Sequence, residues 1–170
     1  MNFRSLFFVP FLAVGALLFT LASPLHAEDR SPADAFLDEA FKTMASLNDS
    51  NARDVVSQCR AQDTTLPSLQ GVTEPMRLYL GSIMERCIYI AMNSGAFKDD
   101  SGDQCTHHMA RAKKLAGAIE GWLKQPESHT PTLRELGNDL ENHDHNGELI
   151  GCKGDYTVFE ATIKAAQAAK

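Results

Sequence analysis

What this sequence lacks narrows the reading before anything it contains. There is no excess of positive charge: 16 Lys and Arg stand against 22 Asp and Glu, for a net charge of −6 over 170 residues. Binding to nucleic acid through phosphate neutralisation is excluded on that ground, and so is a polybasic membrane patch. No G-x-S-x-G, Walker loop, H-E-x-x-H or glycine-rich dinucleotide fingerprint occurs, so neither a catalytic residue nor a cofactor is assigned and the chain is read as a non-enzyme. No two cysteines stand at C-x-x-C spacing, which argues against thioredoxin-like redox chemistry, a zinc knuckle and a c-type haem site. No segment sustains a two-residue alternation, no internal repeat is evident, and no linker is long enough to separate two cores.

What is present begins with a leader. One positive charge at Arg4 precedes an apolar run over residues 6–22, and small residues follow up to Ala27. This is the physical layout of a cleaved signal peptide over residues 1–27. The run could just span a bilayer as an uncleaved anchor, but cleavage is favoured, so no stable membrane anchor is expected; no cysteine follows the run, so a lipid anchor is not indicated. Cleavage leaves residues 28–170 as a single domain of 143 residues, and with Arg4 removed its net charge is −7. The periplasm, or secretion, is the expected location.

Helical periodicity dominates the exported segment. Ser31-Pro32 offers a cap and a first-turn proline, followed by a stripe of Phe36, Leu37, Ala40, Phe41, Met44 and Leu47. A second helix is predicted over 52–60, capped by Ser50 or Asn51, with Val55, Val56 and Cys59 inward. Residues 64–73 read as a loop. The strongest pattern covers 74–93, with Met76, Leu80, Ile83, Met84, Cys87, Ile88 and Ala91 on one side and Gly95 as terminator. A fourth helix is expected over 105–124, anchored by Trp122. A fifth should start at Thr130-Pro131, and a last one, capped by Asp155, should hold Val158, Phe159 and Ile163. The fold class is therefore all-α, a small disulfide-stabilised bundle or orthogonal array of five to six helices.

Cys59, Cys87, Cys105 and Cys152 read as two structural disulfides in an oxidising compartment. Three pairings are open. Joining Cys59 to Cys105 and Cys87 to Cys152 would tie non-adjacent helices and is favoured on that ground; Cys87 with Cys105, across one connection, competes with it.

The histidines are the other chemical candidates. His107, His108, His143 and His145 could meet as a copper or zinc site, although adjacent helical residues point about 100° apart and do not easily face one ion. Residues 142–153 resemble an EF-hand loop up to its eighth position. Lys153 stands where the bidentate glutamate belongs, so calcium binding is not expected.

One stretch supports a closer comparison. Cys87-Ile88-Tyr89-Ile90, a polar connection, Cys105, an amphipathic helix ending in Trp122-Leu123, and then Pro126-Glu127-Ser128-His129 follow in order, with Cys59 before and Cys152 after. This resembles the Rap/Tai family of periplasmic immunity proteins, which bind and inhibit peptidoglycan amidases delivered by type VI secretion. The cysteine-helix pattern is also similar to that of small acid-stress periplasmic chaperones. The first resemblance implies a disulfide-bonded helical protein whose partner is another protein, a cell-wall amidase toxin, with homodimerisation left open. The alternative is a copper- or zinc-binding or stress-response protein.

An inhibitor of that kind needs a rigid element to fill a groove and no catalytic group of its own. Polar connections on a stapled scaffold suit the task. The candidates are Lys98, Asp99, Asp100 and Asp103 in one connection, and His143, Asp144, His145 and Asn146 in the other.

Overall fold

The computed structural model describes residues 30–97, 101–125, 130–143 and 151–169. Residues 1–29, where the signal peptide is expected, Lys98 to Asp100, the Pro-Glu-Ser-His segment, Asp144 to Ile150 and Lys170 lie outside the described residues. Among the described residues there are six α-helices and no strand: α1 (Pro32–Ala45), α2 (Ala52–Asp63), α3 (Glu74–Met92), α4 (Ser101–Lys124), α5 (Leu133–Glu141) and α6 (Glu160–Ala168). Short 3-10 turns occur at Leu66–Ser68, Gly95–Phe97 and Thr157–Phe159. No helix among the described residues is long and apolar enough to cross a membrane.

Local chemistry accounts for most boundaries. The Ser31 hydroxyl accepts from the backbone N–H of Asp34, and Pro32 opens α1 as the sequence suggests. Asn51 precedes α2, but its side chain caps nothing there. Its Oδ1 instead accepts from the Asn48 N–H and closes the preceding turn. The helix α5 begins at Leu133, not at Pro131, because Thr132 and Glu135 form a complete capping box. The helix α4 begins at Ser101, four residues earlier than expected, so Asp103 lies in its first turn rather than in a connection. Asp155 does not cap the last helix, whose N-cap is Phe159; its carboxylate instead accepts from the backbone N–H of Thr157 at 3.1 Å and closes the turn before the 3-10 segment.

The centre of the molecule is an antiparallel pair, α3 and α4. Where they cross, small residues let the backbones approach: a Cβ on Gly81 would meet the Lys114 stem at 3.1 Å, one on Gly117 would meet Leu78 at 3.1 Å, and one on Gly121 would meet Pro75 at 2.5 Å. These contacts fix the register of the pair. Leu80, Met84, Ala112, Leu115, Ile119 and Trp122 fill the space between it and its neighbours, all completely buried. The helices α1 and α2 pack on α3, whereas α5 and α6 pack on each other and on α4. The loop before α3 is organised by Arg77, whose guanidinium donates to the carbonyls of Leu66, Leu69 and Val72. Two residues read as inward face solvent instead: Phe41 is 47% exposed and Val158 66% exposed, because the stripe of α1 is narrower than its apolar residues and Val158 sits on the outer side of a 3-10 turn.

The cysteines join differently from the favoured expectation. Cys59 bonds Cys87, and Cys105 bonds Cys152, with Cα separations of 6.1 Å and 5.2 Å. The first bond links the neighbouring helices α2 and α3 inside a second apolar cluster of Val55, Val56, Ile88, Ala91 and Met92. The second ties the N-terminal part of α4 to the segment that follows α5. Packing of α2 on α3 brings Cys59 to Cys87, which is why linking distant helices is the wrong criterion. Two disulfides fit an oxidising, extracytoplasmic compartment.

Candidate functional site

A concavity lies on the C-terminal side of the molecule, between the end of α5, residues 154–157 and α6. Its volume is about 420 Å³. Leu140, Tyr156 and Ile163 give it apolar walls, while Glu141, Asp155, Glu160, Lys164 and Gln167 line it with polar groups. Several of these are already engaged: Gln167 Nε2 donates to Glu141 at 2.8 Å, and Lys164 reaches Glu160 at 3.5 Å. Three carboxylates against one ammonium leave the lining negative.

The groove is built by close packing behind it. Gly137 of α5 faces Ala166 of α6, and a Cβ there would approach that of Ala166 to 2.9 Å. Gly154 lets the chain pass over α4, since a Cβ would meet Met109 Cε at 2.7 Å. Cys152, bonded to Cys105, holds the start of this passage.

Behind Tyr156 lies a polar interior. His108 of α4 and His143, two residues beyond α5, are both fully buried, and Nε2 of His108 lies 3.0 Å from the His143 carbonyl and 3.3 Å from its Nδ1. Arg111, also buried, reaches Tyr89 on α3 and the Asp139 carboxylate on α5. Burial first, then the charges of Arg111, His108 and Arg86, push the His143 imidazole down to about 2. Burial also lowers His108, against the opposing effect of its bond to the His143 carbonyl.

A second polar network lies on the side of α2. Glu85 holds Nδ1 of His107 at 2.6 Å and Nζ of Lys114 at 2.7 Å, and Lys114 also lies 3.7 Å from Asp63. Burial raises the Glu85 carboxyl, but hydrogen bonds from His107 and Lys114 together with their charges outweigh it, and the group sits below the ordinary range. Asp63 is raised, because burial and the charge of Glu85 exceed what Lys114 returns.

No protein-family model matches this chain, and no curated protein and no solved structure matches it either. The geometry therefore carries the functional reading.

That geometry redistributes the sequence candidates. His107 and His108 do diverge, the first to Glu85 and the second to His143, so the four histidines do not form one ligand set. No group of three His, Cys, Asp or Glu among the described residues could hold a metal ion. His143, expected in an exposed binding loop, is 0% exposed, which removes it from any contact surface. Asp103 is exposed on the first turn of α4. Lys98, Asp99, Asp100, Asp144, His145 and Asn146 lie outside the described residues. Sequence reasoning missed Arg111, Asp139 and Glu85. Stepping four residues back from Ala112 and Leu115 gives His108 and Arg111, so helical spacing places both on the buried stripe of α4. Their polarity disguised that position.

Proposed function

We propose that this is an exported, periplasmic protein-binding module, and that its activity is that of an immunity protein inhibiting a secreted peptidoglycan amidase. The observation that supports the reading is the groove: apolar walls and an acidic lining, on two helices whose chain is stapled to α4 by Cys105–Cys152. A concavity of this size takes one or two side chains of a partner, and a site fixed in advance by packing and a disulfide loses little entropy on binding. The lining favours a segment that presents Lys or Arg on an apolar stem. Binding needs no reactive group, in keeping with a surface whose described histidines are either buried or engaged by a carboxylate.

The test is a titration of the exported chain against a purified type VI peptidoglycan amidase from the same organism, read by calorimetry and by hydrolysis of purified peptidoglycan. A 1:1 complex that blocks hydrolysis, weakened at least tenfold by Ile163→Asp, is the expected result. Absence of a complex at micromolar concentration, or unimpaired hydrolysis within one, would overturn the amidase assignment. A complex indifferent to Ile163→Asp would remove the groove from it.

A further inference from the structure

The buried histidine pair has a property that simple core packing does not call for. A single proton on Nε2 of His108 can point at both acceptors offered by His143, its carbonyl oxygen at 3.0 Å and its Nδ1 at 3.3 Å. These contacts assign both rings as neutral, each carrying its proton on Nε2. The remaining nitrogens, Nδ1 of His108 and Nε2 of His143, are buried without a hydrogen-bond partner, as is Nε of Arg111. Unpaired polar atoms in an interior are costly, and two on one pair mark a place where the closed structure is held under tension.

The surroundings make a positive charge there worse. Tyr89 of α3 meets the His108 ring edge-on at 5.1 Å, and Tyr156 covers both rings at 5.8 Å and 6.5 Å. The charged groups facing the pair are Arg86 of α3, Arg111 of α4 and Asp139 of α5, and the one carboxylate is taken up by Arg111. No carboxylate among the described residues touches either imidazole. Protonation would therefore add an unpaired cation to a buried site that already holds a guanidinium.

We propose that His108 and His143 form an acid-operated latch, whose protonation frees the α5–α6 lobe from α4 while the Cys105–Cys152 bond keeps it tethered. The topology suits this. The helices α5 and α6 pack on each other and, among the remaining helices, chiefly on α4, so they can leave as a unit. His143 stands at the end of α5, and Tyr156 leads into α6, so the pair lies between both parts of the lobe and α4. The chain enters α5 from α4, and Cys152, between α5 and α6, is bonded back to α4, so an opened lobe is held at two points and can reclose.

The direction follows from linkage. In the open form both imidazoles regain water and titrate near 6.5, whereas in the closed form both are depressed, so the open form binds more protons. Closure is fully supported above about pH 6.5 and weakens as pH falls below it. Between pH 6 and pH 5 one histidine raises the open population about eightfold, and two raise it about sixtyfold. Ordinary carboxylates contribute little in that interval.

The experiment is hydrogen exchange on the intact exported chain with both disulfides present, each amide corrected for its intrinsic rate. Protection in Leu133–Glu141 and Glu160–Ala168 should fall about eightfold to sixtyfold from pH 6 to pH 5, with Ala52–Asp63 and Glu74–Met92 unchanged. In His143→Leu the fall should shrink to no more than the single-histidine value. Should that variant not fold, the wild-type measurement decides alone. Lobe protection that is independent of pH, or lost in step with α2 and α3, overturns the latch.

Discussion

A Cβ placed on Gly121 would lie 2.5 Å from Cγ of Pro75 and 2.9 Å from its Cβ. The last turns of α4 therefore run against the first turn of α3 at a distance only a glycine allows, and the opposing atoms belong to a ring that cannot swing aside.

Gly121→Ala should destabilise the protein. Alanine contributes up to about 1 kcal/mol of helix propensity over glycine, but prying two helices apart costs roughly 1–3 kcal/mol. Gly102, also in α4, has nothing within 4 Å of a built Cβ and serves as the control. Urea unfolding of both variants should show a lower midpoint for Gly121→Ala and an equal or higher one for Gly102→Ala. Equal midpoints for the two would mean that the close crossing of α3 and α4 is not what glycine provides.

The disulfide pairing can be read by peptide mapping without reduction. Digestion should yield one linked pair containing Cys59 with Cys87 and another containing Cys105 with Cys152, which lie 28 and 47 residues apart in sequence. Loops of these lengths give about 3.6 and about 4 kcal/mol of stabilisation in the chain-entropy treatment. Removal of either pair as Cys→Ser should cost roughly 2–4 kcal/mol, in denaturant unfolding under non-reducing conditions. Any peptide joining Cys87 to Cys105 or to Cys152 would refute the arrangement.

Glu85 gives a second and separate acid dependence. Its carboxyl is depressed in the folded state by His107 and Lys114 despite its burial, so the unfolded chain binds the proton more readily. The stability it contributes is present above the ordinary carboxyl range, near pH 4.5, and is lost as pH falls below that. In Glu85→Gln the unfolding midpoint should be lower at pH 6 and should decline less steeply between pH 4.5 and pH 3 than in the wild type. A steeper or unaltered decline would show that the carboxylate is not the group held by His107 and Lys114.

How much of this was legible beforehand varies with the range of the interaction. The stripe of α3 was readable because spacings of three and four residues report directly on which side of a helix is apolar. The start of α5 was misplaced by reading Pro131 as the first-turn signal, although Thr132 and Glu135 were present in the sequence as a capping box. The exposed Phe41 shows the limit of the stripe argument, since residue type reveals apolarity and not whether a neighbour arrives to cover it. The sequence points to polar connections as candidate contact elements, and most of those residues lie outside the described ones; the groove is lined by the end of α5, residues 154–157 and α6. Nothing in the spacing of Leu140 and Ile163 says that they face one concavity.

By itself the sequence determined the helical class, the approximate extent of the helices and the presence of four cysteines, because these depend on contacts within about four residues and on composition. Tertiary structure decided which cysteines meet, that His107 turns to Glu85 while His108 turns to His143, and that the acidic groove lies beside a buried histidine pair. Each of those outcomes brings together groups more than 20 residues apart. Their proximity follows from how whole helices pack, which no local pattern encodes.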